Sequence, residues 1–440
     1  MNLKMKPPKS EDWYYHQSIE IPCEWKVKKM GEVLAKIENG FPYKEDYEIT
    51  KENGLPITRI ETISDGFIDS EKVGYVEKVS EKRCKTMMQD DILFSHINSL
   101  KHIGKTAIYE GKPPILIHGM NLLRIIPKQN MLAFYLYHFL NFNQTRNRIK
   151  ALSQRAINQV STTTHDLKKF LYILVPPVPE QRKIASILSN LDSLIQKQEE
   201  IIEEYHDLKK GLMQQLFKKG IGHKDKPKKI KSNFNKYIEI PNDWTPTTIG
   251  KEFDFSSGST PTRKKPEFFQ GNVPWAASSD LNRSIIKDTF EKITPEAIRD
   301  TNLKIYPKGT FVIAIYGLEA AGTRGRCGIL GIDATLNQAC LAFHKSEKID
   351  TTFIFQYFLY YGESIALQLA QGTKQQNLNS DLLKFSKIAL PPLPEQRKIA
   401  SILSNLDSLI DQENRYKEKI ENIKKGLMQQ LLTGHTEVKV

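Results

Sequence analysis

The 440-residue chain has only four cysteines, Cys23, Cys84, Cys327 and Cys340, and no two of them form a C-x-x-C pair. That spacing argues against a cysteine zinc site and against a disulfide framework. It fits thiols kept reduced in a cytoplasm. Long apolar runs are missing too. The longest, such as Phe311–Tyr316, are far too short to span a bilayer and read as core strands. The first residues, Met1–Ser10, are rich in Lys and Pro and lack an apolar stretch, so no secretory signal is expected.

Catalytic signatures are also missing. Gly317-Leu318-Glu319-Ala320-Ala321-Gly322-Thr323-Arg324 has the outline of a phosphate-binding loop but not its lysine, and a turn between strands accounts for it. No G-x-G-x-x-G follows a strand, and no Asn- or Asp-Pro-Pro-aromatic run is present. Glu437-Val438-Lys439 matches half a nuclease motif but lies in the terminal tail. The histidines His16, His96, His102, His118 and His165 have no metal-like spacing. The expectation is a chain with no catalytic residues, no metal ligands and no cofactor of its own.

What is present is positive charge. There are 64 Lys and Arg against 51 Asp and Glu, a formal net charge of +13. Such an excess favours a polyanionic partner, because neutralising phosphates releases their counterions. A basic surface on an ordinary soluble protein would give the same total. The composition, 39% hydrophobic and 26% charged, is that of a folded globular chain.

The main organising feature is a duplication. Residues Pro176–Leu216 align without a gap to Pro391–Leu431, with 28 identities in 41 positions. A weaker echo precedes each copy: Ile19-Glu20-Ile21-Pro22-Cys23-Glu24-Trp25 with Gly31, and Ile238-Glu239-Ile240-Pro241-Asn242-Asp243-Trp244 with Gly250. The order is variable segment, repeated segment, variable segment, repeated segment. Two copies at so long a period point to a pseudo-two-fold molecule rather than a solenoid.

Each repeated segment reads as one long helix. Pro179 and Glu180 suit a first helical turn, and no proline follows before Pro227. Apolar residues recur every seven positions in three columns. The first is Ile184, Leu191, Gln198, Tyr205 and Leu212; the second is Ile187, Leu194, Ile201 and Leu208; the third is Leu188, Ile195, Ile202, Lys209 and Leu216. This is a coiled-coil period, with each helix about 35 residues or roughly 50 Å long. Duplication favours an antiparallel pair, with Ile184, Ile187, Leu191, Leu194, Tyr205, Leu208, Ile399, Ile402, Leu406, Leu409, Ile420 and Ile423 expected at the helix–helix or partner contact. Gly220, Gly222 and Gly434 should end the helices. Gln198 and Glu413 interrupt the first column and either set register or mark a solvated seam.

The variable segments mix short strands with one aromatic-rich helix each. Strands are expected at Asp91–Ser95, Ile115–Ile117, Leu122–Ile126, Thr310–Tyr316 and Ala339–Phe343, and helices at Met131–Leu152 and Thr351–Ala370. The class is α+β. The expected division is 1–175, the first helix 176–222, a basic linker 223–237, the second variable domain 238–390, and the second helix with its tail 391–440. Residues Lys218–Lys236 carry eight lysines and one acid, Asp225, and read as a solvated linker with phosphate contact as the alternative.

Polar and basic loops are where base edges and phosphates would be met. The candidates are Thr58, Arg59, Asn98, Lys101, Gln154 and Arg155 in the first domain. In the second they are Thr260, Arg263, Lys264, Tyr316, Arg324, Lys374 and Gln375. Any one of them could equally be an ordinary surface residue.

The run Pro-Pro-x-Pro-Glu-Gln-Arg-Lys-Ile-Ala (Pro176–Ala185 and Pro391–Ala400) and the closing Lys-Lys-Gly-Leu-Met-Gln-Gln-Leu resemble the conserved regions of type I restriction enzyme specificity subunits. So do Gly258-Ser259-Thr260-Pro261, Gly271-Asn272-Val273-Pro274-Trp275 and Gly372-Thr373-Lys374-Gln375. The first domain departs from this pattern. It has Asn39-Gly40-Phe41-Pro42 for Gly-x-Thr-Pro, and Ser153-Gln154-Arg155 for Gly-Thr.

The resemblance implies two target-recognition domains, each reading half of a split double-stranded DNA site, held by helices that set the gap. It also implies two methyltransferase subunits, optional restriction subunits, and S-adenosylmethionine, ATP and magnesium held by those partners. Two rivals stay open: a coiled-coil scaffold that does not bind DNA, and a restriction-modification enzyme with an unrecognised active site.

Overall fold

The computed structural model describes residues 5–6, 21–42, 49–64, 66–77, 86–155, 159–223, 226–231, 237–317, 323–371 and 377–438. The chain is α+β and divides into two compact units. One is Met1–Glu199 with Arg415–Val440; the other is Glu200–Asn414. The cut therefore falls inside the long helices, not at the linker. Each unit takes the first half of one helix and the second half of the other.

In the first unit, an antiparallel four-stranded sheet has the order Leu34–Asn39, Leu123–Pro127, Ile92–Phe94, Thr106–Ile108. Away from the edge strand Leu34–Asn39, which is largely exposed, the strands are buried on both faces, with Ile92, Phe94, Leu123 and Ile125 at 0% exposure. A two-stranded ribbon, Lys26–Lys29 with Tyr172–Val175, closes the domain and leads into the long helix Val178–Lys219.

The second unit repeats this plan. Its sheet runs Phe255–Ser257, Cys340–Phe343, Phe311–Ala314, Cys327–Leu330, with a fifth strand, Ser284–Ile286, added in parallel. Its ribbon pairs Thr245–Thr248 with Lys387–Leu390 and leads into the helix Leu393–Leu432.

The duplicated motifs now have causes. Trp25 Nε1 donates to Glu180 at 3.0 Å, and Trp244 Nε1 donates to Glu395 at 3.1 Å. Each Trp, at 1% exposure, ties its domain to the first turn of its helix. The next residue, Gln181, accepts from Leu132 N and donates to the carbonyls of Asn130 and Pro176. Gln396 does the same with Asp350 N and the carbonyls of Lys348 and Pro391. The repeated glycines are close approaches. A Cβ on Gly31 would lie 3.2 Å from the Lys168 side chain, and one on Gly250 would lie 2.5 Å from Lys384 Cβ.

Within each unit the two helix halves run antiparallel. In the first, Asp192 meets Lys424 and Glu199 meets Lys417 at 2.6 Å, so one number rises as the other falls. In the second, Lys209 meets Asp407 at 2.5 Å, the same pair one pseudo-symmetric step away. The seam uses the first and third heptad columns. Ile184, Leu188, Ile399 and Leu403 are fully buried, and Leu191, Tyr205, Leu406 and Ile420 are half-buried or buried.

The second column does not pack in that seam. Ile187 and Ile402 are half-buried, but Leu194, Leu208, Leu409 and Ile423 are exposed, as are Ile201 and Tyr416. A two-helix seam is filled by two positions per heptad, and the third apolar column is left over.

Other expectations need correction. The helix expected at Met131–Leu152 breaks into Ala133–Asn141 and Asn143–Leu152 at an extended Phe142. Asn141 there turns its side-chain amide onto the Thr106 backbone instead of continuing the helix. Ile115–Ile117 forms only isolated bridges at Ile117, because Pro113 and Pro114 have no N–H for a ladder. Part of the basic linker is a strand: Lys228–Lys231 pairs with Tyr237–Ile240. The helices are longer than expected, 42 and 40 residues, and end before Gly220 and Gly434, both at positive φ.

Candidate nucleic-acid interface

In the first unit a small sheet gathers three segments that are far apart in sequence. Gln154–Arg155 pairs with Val160–Ser161, which pairs with Ile97–Asn98. The register puts Asn98, Val160 and Arg155 in one row and Ile97, Ser161 and Gln154 in the next, so Asn98 and Arg155 share one face of the small sheet and Gln154 lies on the other. The backbone of Arg155 is placed; its side chain and the tip 156–158 lie outside the described residues. Below it, Ser153 Oγ and Thr162 Oγ1 share a 2.7 Å bond that fixes the hairpin's foot. Asn98 Nδ2 donates to Ser95 Oγ at 3.1 Å, and Asn98 Oδ1 accepts from Ser99 N, so the amide is oriented before any ligand arrives. Lys101 is exposed, and its carbonyl accepts from Arg146 at 3.2 Å.

Thr58 is elsewhere. It is fully buried, and its Oγ1 accepts from Gly119 N at 2.9 Å. It is a latch between two loops, not a base reader. Arg59 beside it is half-buried, its N–H donating to Thr62 Oγ1.

The second unit builds the same device. Ala370–Gln371 pairs with Asn377–Leu378, and Leu378 N donates to the Ile315 carbonyl at 2.8 Å, just as Thr162 N donates to the His96 carbonyl in the first unit. The hairpin 370–378 is therefore the counterpart of 154–161, an equivalence that Ser153-Gln154-Arg155 alone left open. Its tip, with Lys374 and Gln375, lies outside the described residues. Tyr316, 40% exposed, follows Ile315 directly. The turn Thr323–Arg326 joins the same strand end through Ala314 N donating to the Arg326 carbonyl. Arg324 is thus near Tyr316, and its carbonyl accepts from Arg283 at 2.9 Å.

Arg263 belongs to a different group. Its two terminal nitrogens donate to Glu291 at 2.5 and 2.7 Å, and the guanidinium lies 4.0 Å from the Phe269 ring centre. One edge of the guanidinium is taken by the Glu291 carboxylate and one face by Phe269, while the side chain stays 57% exposed. Thr260 donates to Gln338, and Lys264 is exposed. The glycine before Thr260 explains a family motif: a Cβ on Gly258 would lie 1.8 Å from the Leu336 carbonyl oxygen. Gly40 does the same against Gly119, at 2.3 Å.

Two residues of the polar loops were not among the candidates drawn from the sequence. Asn377, half-buried on the second hairpin, has a buried Oδ1 with no hydrogen-bond partner among the described residues. His96, beside the first hairpin, has a buried Nδ1 in the same condition, and burial holds its pKa below the ordinary value. Their polar loops are visible in the sequence, but only the folded sheets place them beside the two hairpins.

Ser189 Oγ, His138 and Asp192 stand in line at 2.9 and 3.7 Å, but His138 is wholly buried, and desolvation, helped by Lys424, pushes its pKa down to about 3. A base so weak and so enclosed holds the domain to its helix. The buried thiols are inert as well, with burial pushing Cys327 up to about 12. His223 lies between Asp243 and Glu395, at 3.3 Å from Nδ1 and 2.8 Å from Nε2. Opposite ring nitrogens face the two carboxylates, which is ion-pair geometry rather than convergence on one metal. No described helix is long and apolar enough to cross a membrane.

The comparisons agree. A family model, the type I restriction modification DNA specificity domain, matches twice, at 22–204 and 241–422. Two relatives come from Methanocaldococcus jannaschii. The chain is 36% identical over 439 residues to the MjaX specificity subunit of a type I restriction enzyme, covering 98% of each. It is 30% identical over 447 residues to the MjaVIII specificity subunit, covering 100% of this chain and 99% of that one. Among solved structures, the S subunit of a type I restriction-modification system from M. genitalium superposes with a TM-score of 0.59 at 15% identity, over 94% of this chain and 97% of that one. A chain from a study of type I complex assembly gives 0.55, also at 15% identity, over 94% and 99%. The chain belongs to the type I restriction-modification specificity family, as a DNA-specificity subunit that is not itself an enzyme.

Proposed function

We propose that each unit reads one half of a split, asymmetric DNA site through its hairpin surface, and that the long helices set the unspecified gap between the halves. The observation that carries this reading is the repeated frame with unlike tips. The same sheet, ribbon and Trp–Glu anchor recur, while Asn98, Gln154 and Arg155 in one unit are replaced by Tyr316, Arg324 and the 370–378 hairpin in the other. One frame with two different readers fits two different half-sites.

Two methyltransferase subunits are the expected partners, one for each unit, with restriction subunits able to join. The leftover heptad column supports this. Leu194, Tyr416 and Ile423 are exposed on the first unit, and Ile201, Leu208 and Leu409 on the second. Apolar residues at seven-residue spacing offer a further helix a seam to pack on. S-adenosylmethionine, ATP and magnesium would be held by those partners, in the cytoplasm.

Modified-base sequencing of host DNA, with and without this gene, tests the reading. Loss of methylated adenine at one gapped motif is the expected result. Unchanged methylation in a host that expresses the whole system would overturn it and favour the scaffold alternative.

A further inference from the structure

At one equivalent place in each unit, the chain holds a phenylalanine out into solvent. Phe170 is 48% exposed and Phe385 is 75% exposed, and the two are 215 residues apart, the offset of the duplication. Both stand at the end of the domain's last short helix, Thr164–Phe170 and Ser380–Lys384.

Their mounting is the same. The carbonyl of the following residue accepts from the first residue of the single-turn helix after the ribbon: Met30 N to Leu171 at 2.7 Å, and Ile249 N to Ser386 at 2.8 Å. Leu167 and Leu383 anchor the short helices from beneath at 0% exposure. Each ring is therefore presented on a rigid base, with little entropy left to lose on binding.

Lysines flank both rings along the chain and in the adjoining ribbon, and Lys169 Nζ lies 5.3 Å from the Phe170 ring centre. In the first unit, Lys168 and Lys169 precede Phe170, Lys29 faces Tyr172 across the ribbon, and Lys28 is next to it. None of the four has an ion-pair partner among the described residues. In the second unit, Lys384 precedes Phe385 and pairs with Asp381 at 2.8 Å, and Lys387, in the ribbon row held by Lys29 in the first, lies opposite Thr248 and donates to the Lys231 carbonyl at 3.0 Å.

A lone exposed apolar residue needs no explanation. The same one, rigidly mounted and lysine-rimmed in two domains whose reading surfaces differ, points to a partner that meets both units alike. Phosphates alone have no use for a phenyl ring. A protein pocket that buries the ring and answers the lysines with acids uses both features.

We propose that Phe170 and Phe385 are anchor residues for the two methyltransferase copies, each ring entering an apolar pocket, whose rim is acidic where it meets Lys28, Lys29, Lys168 and Lys169 of the first unit. This rests on the reading above that two such copies bind, one to each unit.

The test titrates the cognate methyltransferase subunit into the full-length chain and into Phe170→Ala, Phe385→Ala and the double variant. Copy number is read by native mass spectrometry and affinity by calorimetry. Wild type should take two copies. Each single variant should weaken one of them by at least about tenfold, and the double variant both, while DNA binding by the chain alone is unchanged. Phe→Tyr at either site should recover most of the loss. Two copies bound with unchanged affinity in every variant would overturn the anchors and leave the two-copy reading standing. A wild-type chain that takes no copy would overturn both. Loss of DNA affinity with both copies retained would mean that the surface serves DNA, and would overturn the proposal.

Discussion

Lys424 on the second long helix donates to the Asp192 carboxylate on the first, and burial raises the Asp192 pKa even though Lys424 pulls it down. The pair is the point at which the two helix halves of the first unit are cross-linked, and His138 of the recognition domain faces the same carboxylate. In the second unit Lys209 and Asp407 form the same link, with Gln356 donating to Asp407 at 2.8 Å. Domain and both helices thus meet at one acid in each unit.

Removing the cation strands that acid. Lys424→Met should cost the first unit about 1–3 kcal/mol, less than a fully buried pair because both side chains keep partial solvent contact. Lys209→Met should act likewise on the second unit. Chemical denaturation monitored separately for each unit would show it.

His138 makes the first unit acid-sensitive. Its folded pKa is about 3, against an ordinary value near 6.5. Between those values the unfolded chain carries a proton that the folded one refuses, so stability falls as pH drops from 6.5 toward 3. The slope is up to about 1.4 kcal/mol per pH unit. Asp192, raised above its usual 3.8, works the other way in the lower part of that window. His138→Gln, which copies Gln356, should flatten the response between pH 6.5 and 5. Thermal unfolding across that range measures it, and an unchanged slope would remove His138 as the cause.

Arg263 and Asn98 should part company. Asn98→Ala is expected to relax one position of one half-site, at about 1–3 kcal/mol or roughly ten- to a hundredfold in discrimination. Arg263→Ala, which frees Glu291 and uncovers Phe269, should loosen its own subdomain by about 1 kcal/mol and leave the recognised sequence alone. Selection from a random DNA library separates the two.

The helices should set the gap between half-sites. One heptad inserted at Gln198 and another at Glu413 preserves the seam and lengthens each helix by roughly 10.5 Å. That equals roughly three base pairs at about 3.4 Å each. The methylated motif should gain about that many unspecified positions with both half-sites unchanged.

Much of this was legible in the chain because it rests on period and repetition. Columns at seven-residue spacing, prolines before each helix and glycines after it mark the long helices. The Trp25 and Trp244 echoes mark the domain starts, although only the structure shows each Trp bonded to a helix 150 residues away. The reading surface was legible in part. Asn98 and Gln154 are polar loop residues and were identified as such. Thr58 has the same chemistry and is buried, because Gly119 N needs an acceptor there. Arg263 looks like a base reader until Glu291 and Phe269, which are not its sequence neighbours, close around it. The leftover apolar column could not be told from a packed one, since period reveals that a face is apolar and not what covers it.

The central claim is that the two units read independently. Replacing Ile238–Leu390 with the corresponding domain of another specificity subunit, followed by modified-base sequencing, tests it most directly. One half-site should change while the other half-site and the gap stay as they were. A change in both half-sites would contradict it.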